Sequence, residues 1–220
     1  MRQLALDLGP PDALHDTVVS SSNEAAYAAV AAWPRWPDPV LLVRGPHGSG
    51  KSHLAGAFAQ RLGARLVGGA QLDAVDPLDL ARGMVVVDDA DRAQERALFH
   101  LINAVRTCGT TLLLTAGSRG GERLADLASR LRAVPEAVLL PPDDALLRKV
   151  MVMAFQARQL PVDPGVISFL LARVERTLHA VVAMVDAIDR QGLAERRGPT
   201  RPLAARVLRS AGSPDADSVP

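Results

Sequence analysis

Apolar residues in this chain follow two different patterns. Between Val40 and Pro142, short Val- and Leu-rich runs alternate with longer stretches in which apolar residues recur every three or four positions. The runs VLLVR (40–44), ARLVGG (64–69), GMVVVDD (83–89), TTLLLTA (110–116) and EAVLLPP (136–142) predict strands. Their apolar residues are continuous rather than alternating, which suits strands covered on both faces. KSHLAGAFAQRL (51–62), closed by Gly63, RAQERALFHLINAVRTC (92–108) and ERLADLASRLRA (122–133) predict helices. Alternation of this kind implies an α/β fold, a parallel sheet flanked by helices. A further helix is expected ahead of it, after the serines at 20–22, which offer N-caps. It runs through NEAAYAAVAAW and stops at Pro34.

After Pro142 the strand signal ends and only helical periodicity remains. DDALLRKVMVMAFQARQ (143–159) places Leu146, Val150, Met153 and Ala157 on one face. Asp163-Pro164 reads as N-cap and first helical position of the next helix. LHAVVAMVDAIDRQ (178–191) carries a stripe of Val181, Val185 and Ile188, and RPLAARVLRS (201–210) predicts a short last helix. The expected organisation is a tail over 1–12, an α/β core over 13–142, a small helical domain over 143–209 and a polar tail over 210–220.

Composition adds limits. The 220 residues are 48% hydrophobic and 22% charged, with a net charge of +1, so no overall field draws the chain to nucleic acid or acidic membranes. The arginines between Arg190 and Arg209 lack interleaved aromatics, so strong direct DNA binding is not expected. The single cysteine, Cys108, excludes an internal disulfide and reads as a core filler. Without a signal peptide or an apolar run of ~20 residues, a soluble, cytoplasmic protein is expected.

The chemistry-bearing motif is GPHGSGKS (45–52), which fits G-x-x-x-x-G-K-[ST] and lies between a predicted strand and a predicted helix. Gly45, Gly48, Ser49 and Gly50 would let backbone N–H groups face phosphate oxygens, at a helix N-terminus that favours negative charge. Lys51 is placed to reach the outer phosphates and Ser52 to ligate Mg²⁺. Asp88 and Asp89 end the strand GMVVV, where a P-loop protein carries its metal-associated acid. Asp88 is assigned to Mg²⁺ and Asp89 to the attacking water; the alternative is two acids capping the next helix. The expected ligand is ATP or ADP with Mg²⁺.

The order of these motifs resembles the AAA+ ATPases, and within them the DnaA-related Hda family. SSNEAAYAAV is similar to that group's N-terminal box, GPHGSGKSHL to its Walker A, and VVVDDAD to its double-Asp Walker B. The resemblance covers roughly residues 1–208. It implies an AAA+ core with a helical lid, Asn23 near the adenine, an arginine finger at Arg130 in LADLASRLR, and a second-sensor arginine at Arg176 in ERTL. At the first sensor the group's T-S-D is replaced by Thr115-Ala116-Gly117, which leaves Thr115 or Ser118 to contact the γ-phosphate or the attacking water and implies weak hydrolysis by this chain itself.

The resemblance also implies partners. Gln3, Leu4, Leu6 and Leu8 in MRQLALDL fit the Q-L-x-L-x-L form of a sliding-clamp-binding peptide. The residues after the expected lid leave no room for the initiator's helix-turn-helix domain, so none is expected in this sequence. The expected function is negative regulation of replication initiation. The chain would be held at the clamp and promote hydrolysis of DnaA-bound ATP, with self-association possible. The alternatives are an autonomous P-loop ATPase such as a helicase loader, and a DNA-binding initiator-like protein.

Overall fold

The structure, a computed structural model, describes residues 18–118, 131 and 133–211. Contacts divide it into two units. Of the described residues, the first holds those within 18–19, 23–46 and 50–139, the second 20–22, 47–49 and 140–211.

In the first unit, α1 (Glu24–Ala31) precedes β1 (Val40–Arg44), α2 (Lys51–Leu62), β2 (Arg65–Gly68), the short α3 (Pro77–Leu80), β3 (Val85–Asp88), α4 (Glu95–Cys108), β4 (Leu112–Ala116) and β5 (Glu136–Val138). The strands form one parallel sheet in the order β2-β3-β4-β1-β5. Alternate residues of each central strand serve opposite faces. Val40, Leu42, Val85, Val87, Leu112 and Leu114 pack with Leu98, Leu101, Ile102 and Val105 of α4. Leu41, Val43, Val86 and Leu113 pack with Tyr27 and Val30 of α1 and Leu54 and Phe58 of α2. Double-sided burial is why the strand segments read as unbroken apolar runs.

Two sequence expectations change here. The hydroxyls of Ser20 and Ser22 bond each other at 2.8 Å and do not cap α1. Asn23 occupies the N-cap position without a side-chain cap bond. Its amide instead donates to Val18 O at 2.9 Å, fixing the segment that leads into the helix. Cys108 is exposed rather than a core filler. The buried stripe of α4 ends at Val105, one turn earlier, and the chain leaves the helix through Gly109 in the left-handed region, φ 65°.

The second unit contains α5 (Asp144–Ala157), α6 (Pro164–Leu171), α7 (Leu178–Glu195) and α8 (Arg201–Ala211). Its core is built on Met151, Phe155, Ile167, Leu170, Val185 and Ile188. The α5 face expected from sequence is corrected. Leu146, Leu147, Met151 and Phe155 are buried, while Met153 is 43% exposed and Ala157 also faces outward. Leu147, Met151 and Phe155 follow the i, i+4, i+8 row, which turns the buried stripe away from Met153. Three N-caps hold these helices. Asp143 accepts from Leu146 N at 2.7 Å, Asp163 from Gly165 N at 2.6 Å and Thr177 from Ala180 N at 3.1 Å. Among the described residues, no helix is long and apolar enough to cross a membrane.

Candidate functional site

All five strands are parallel, so β1, β3 and β4 present their carboxyl ends on one edge of the sheet, the edge where open α/β sheets bind ligands. The turn after β1 is the Gly-rich loop. Gly48 (φ 71°) and Gly50 (φ 97°) take left-handed backbone conformations that a side chain would strain. Gly50 occupies the N-cap position of α2 without a side-chain cap bond, so no local side chain competes for the first N–H groups of that twelve-residue helix. This is the polarity that favours a phosphate.

Lys51 is buried, and its Nζ donates to Gly45 O at 3.0 Å and Pro46 O at 2.9 Å. Both bonds hold the ammonium inside the loop's own curve, and a third N–H remains in its inventory for an anion. Ser49 is buried; Ser52, on the first turn of α2, is exposed. His47 and His53 are exposed as well.

The acidic pair lies on the same edge. Asp88 is the last residue of β3, and Asp89 follows it in the left-handed region with φ 53°. Asp89 precedes a one-turn 3₁₀ segment, Ala90–Arg92, but makes no side-chain cap bond to it; α4 begins only at Glu95, after Gln94. The helix-capping alternative is therefore not what the structure shows. Thr115, on β4, is fully buried. Its Oγ1 donates to Asp88 Oδ1 at 2.5 Å and accepts from Asp89 N at 2.9 Å.

Two residues near this pair were not singled out from sequence. Asp91 Oδ2 accepts from Gly117 N at 3.1 Å and ties the turn after β3 to the turn after β4. Gly69 lies so close under the Asp89 carbonyl that a Cβ there would sit 2.1 Å from the oxygen. The third Asp of VVVDDAD and the second Gly of LVGG were the available signals.

In the second unit, Arg176 pairs with Asp144 at 2.6 Å. Residues 47–49 are grouped with this unit, and within it Leu178 N donates to Gly48 O at 3.0 Å. Arg130 and the tail residues Gln3, Leu4, Leu6 and Leu8 lie outside the described residues.

A metal at this edge would need oxygen donors. Among the described residues, no group of three or more His, Cys, Asp and Glu side chains is placed to cage a metal by itself. Mg²⁺ needs only one or two protein oxygens besides phosphate oxygens and water. A Ser hydroxyl and one carboxylate, Ser52 and Asp88, fit that requirement.

The fold belongs to a known class. Domain III of the Thermotoga maritima replication initiation protein DnaA superposes with a TM-score of 0.78 at 19% identity, covering 93% of this chain and 99% of that one. AMPPCP-bound DnaA from Aquifex aeolicus matches with a TM-score of 0.68 at 18% identity over 84% of this chain and 66% of that one. The Thermotoga maritima RuvB Holliday junction branch migration motor matches with a TM-score of 0.65 at 15% identity over 86% and 67%. These likenesses define an AAA+ fold, a five-stranded parallel sheet with a C-terminal helical lid.

Residues 144–208 match the family model described as Hda, lid domain. Over that segment the chain is similar to Hda, and its fold is similar to that of DnaA domain III. An uncharacterized protein of Haemophilus influenzae is 27% identical over 192 aligned residues, covering 77% of this chain and 81% of its own.

Proposed function

We propose that this protein binds adenine nucleotide with Mg²⁺ and, held at the sliding clamp, promotes hydrolysis of DnaA-bound ATP, so limiting replication initiation. The observation that carries the reading is the occurrence, in one chain, of a P-loop after β1 and of residues 144–208 that match the Hda lid model. Gly48 and Gly50 open the loop, the free first turn of α2 receives the phosphates, and Lys51 supplies a positive charge from a buried position. Ser52 and Asp88 would hold Mg²⁺, whose role is to neutralise charge on the phosphate oxygens. Asp89 would orient water, Arg176 would act as second sensor and Asn23 would lie near the adenine.

Arg130 would act in trans on the partner's ATP. Arginine suits that task because its planar fork meets phosphate oxygens at two points, and such a finger raises hydrolysis by ~10³–10⁵-fold. Gln3, Leu4, Leu6 and Leu8 would anchor the chain to the clamp, each well-buried leucine contributing ~1.5–3 kcal/mol.

The test combines the protein, DNA-loaded clamp and ATP-bound DnaA, and follows ATP hydrolysis. The parent should accelerate hydrolysis. Arg130→Lys should bind nucleotide and clamp yet fail to accelerate, because it keeps the charge and loses the fork. The triple change Gln3→Ala, Leu4→Ala and Leu6→Ala should lose clamp binding at unchanged thermal stability. Rapid turnover by the protein alone, with no effect on DnaA, would replace this reading with that of an autonomous ATPase.

A further inference from the structure

Thr115 stands where the resemblance expects a residue that touches the nucleotide, but its bonds point elsewhere. A threonine hydroxyl has one proton. The Asp88 carboxylate can only accept and the Asp89 N–H can only donate, so both directions are fixed: Thr115 donates to Asp88 Oδ1 and accepts from Asp89 N. With the proton given to Asp88, the hydroxyl has none for a terminal phosphate. The group is fully buried on β4, the strand beside β3, so the contact is built into the sheet rather than made by a free surface rotamer.

The same bond fixes the turn that follows. Asp89 holds a left-handed conformation that a non-glycine residue rarely adopts. Three contacts keep it there. Its N–H is bonded to Thr115, its carbonyl accepts from Arg92 N at 2.9 Å, and Gly69 leaves room directly beneath that carbonyl. Asp91 adds a brace from the far side by accepting from Gly117 N, two residues beyond Thr115. Strands β3 and β4 are thus clasped at the edge that carries the acids, and one oxygen of Asp88 is spent in doing so.

We propose that Thr115 is a positioning residue for the Asp88–Asp89 pair, setting Asp88 for Mg²⁺ and Asp89 for water, and that it does not read the terminal phosphate. The proposal rests on reading residues 45–52 as a nucleotide site, and it separates two roles that one position could serve. A phosphate reader matters for ATP and not for ADP. A clasp on the metal's carboxylate matters for Mg²⁺ with either nucleotide.

The experiment is a calorimetric titration of ADP and of a non-hydrolysable ATP analogue, each with Mg²⁺ and with EDTA. It compares the parent, Thr115→Val, which keeps the shape and removes the hydroxyl, and Thr115→Ser, which keeps the hydroxyl. In Thr115→Val the gain in affinity from Mg²⁺ should fall roughly tenfold, the scale of a hydrogen bond to a charged group. The fall should be equal for both nucleotides, with affinity in EDTA unchanged. Thr115→Ser should restore the gain. If Thr115→Val does not fold, Thr115→Cys, a weak donor of similar size, must show the same fall. A loss confined to the ATP analogue, or an unchanged Mg²⁺ gain, overturns the proposal alone. A parent that binds neither nucleotide overturns the nucleotide reading, and the clasp with it.

Discussion

The guanidinium of Arg176 is paired with the carboxylate of Asp144 at 2.6 Å, joining the segment before α7 to the start of α5. Both side chains are more than half exposed, so the pair contributes about 0–1 kcal/mol and competes weakly with another anion. Asp144→Asn should leave the unfolding free energy within about 1 kcal/mol of the parent. Arg176→Ala should be equally harmless to stability but should weaken binding of an ATP analogue more than that of ADP. Equal loss with both ligands would remove Arg176 from the second-sensor role.

Lys51 invites a sharper test. Its Nζ bonds only to Gly45 O and Pro46 O among the contacts described, so Lys51→Ala removes two loop bonds along with the charge. Nucleotide affinity should fall roughly 10–100-fold, the range expected for one to two charge-assisted hydrogen bonds. Isothermal titration with ADP and Mg²⁺ measures it directly. An unchanged affinity would show that the loop does not hold phosphate.

The lid's packing gives a stability prediction that the sequence alone would have misplaced. Phe155 is fully buried among α6 and α7 side chains, and Phe155→Ala should cost about 3–5 kcal/mol. Met153, two residues earlier, is 43% exposed, and Met153→Gln should stay within about 0.5 kcal/mol. Denaturant unfolding of the two variants beside the parent decides between the stripes.

That contrast shows what the sequence could carry. The strands, α2 with its Gly63 stop and the Asp163-Pro164 start of α6 were legible because each has a local signature: a Val/Leu run, a left-handed glycine, a cap followed by proline. The segment ALLRKVMVMAF has apolar residues on almost every side, so its period does not single out one face, and only packing against α6 and α7 does. Asp76-Pro77 repeats the 163–164 signal and caps α3 through Leu78 N, but four residues make too little periodic pattern to notice. At the site, the loop was legible because its glycine and lysine spacing is contiguous. The bond from Thr115 to Asp88 joins residues 27 apart across neighbouring strands, which no local pattern encodes.

Asp143 links pH to the stability of the second unit. Its carboxylate is held below the usual range, first by the Leu146 N–H, against some desolvation, and further by the hydroxyls of Ser20 and Ser21. The Ser21 hydroxyl donates to Oδ2 at 3.0 Å while Oδ1 caps α5, so both oxygens are used only when the group is ionised. A depressed folded-state value means the unfolded chain takes up the proton first. The stabilisation is therefore complete above the ordinary carboxylate range, about pH 4 for an unfolded aspartate, and is lost as pH falls through the lower folded-state value. Asp143→Ala removes the cap at all pH values and should cost about 1 kcal/mol at pH 7. Asp143→Asn keeps an acceptor for Leu146 N but cannot titrate, so its stability should fall less steeply than the parent's between pH 5 and 3, a range set by that unfolded value of about 4. Denaturant unfolding of the three proteins across that range tests the assignment. Parallel curves for parent and Asp143→Asn would mean that the acid sensitivity lies with other carboxylates.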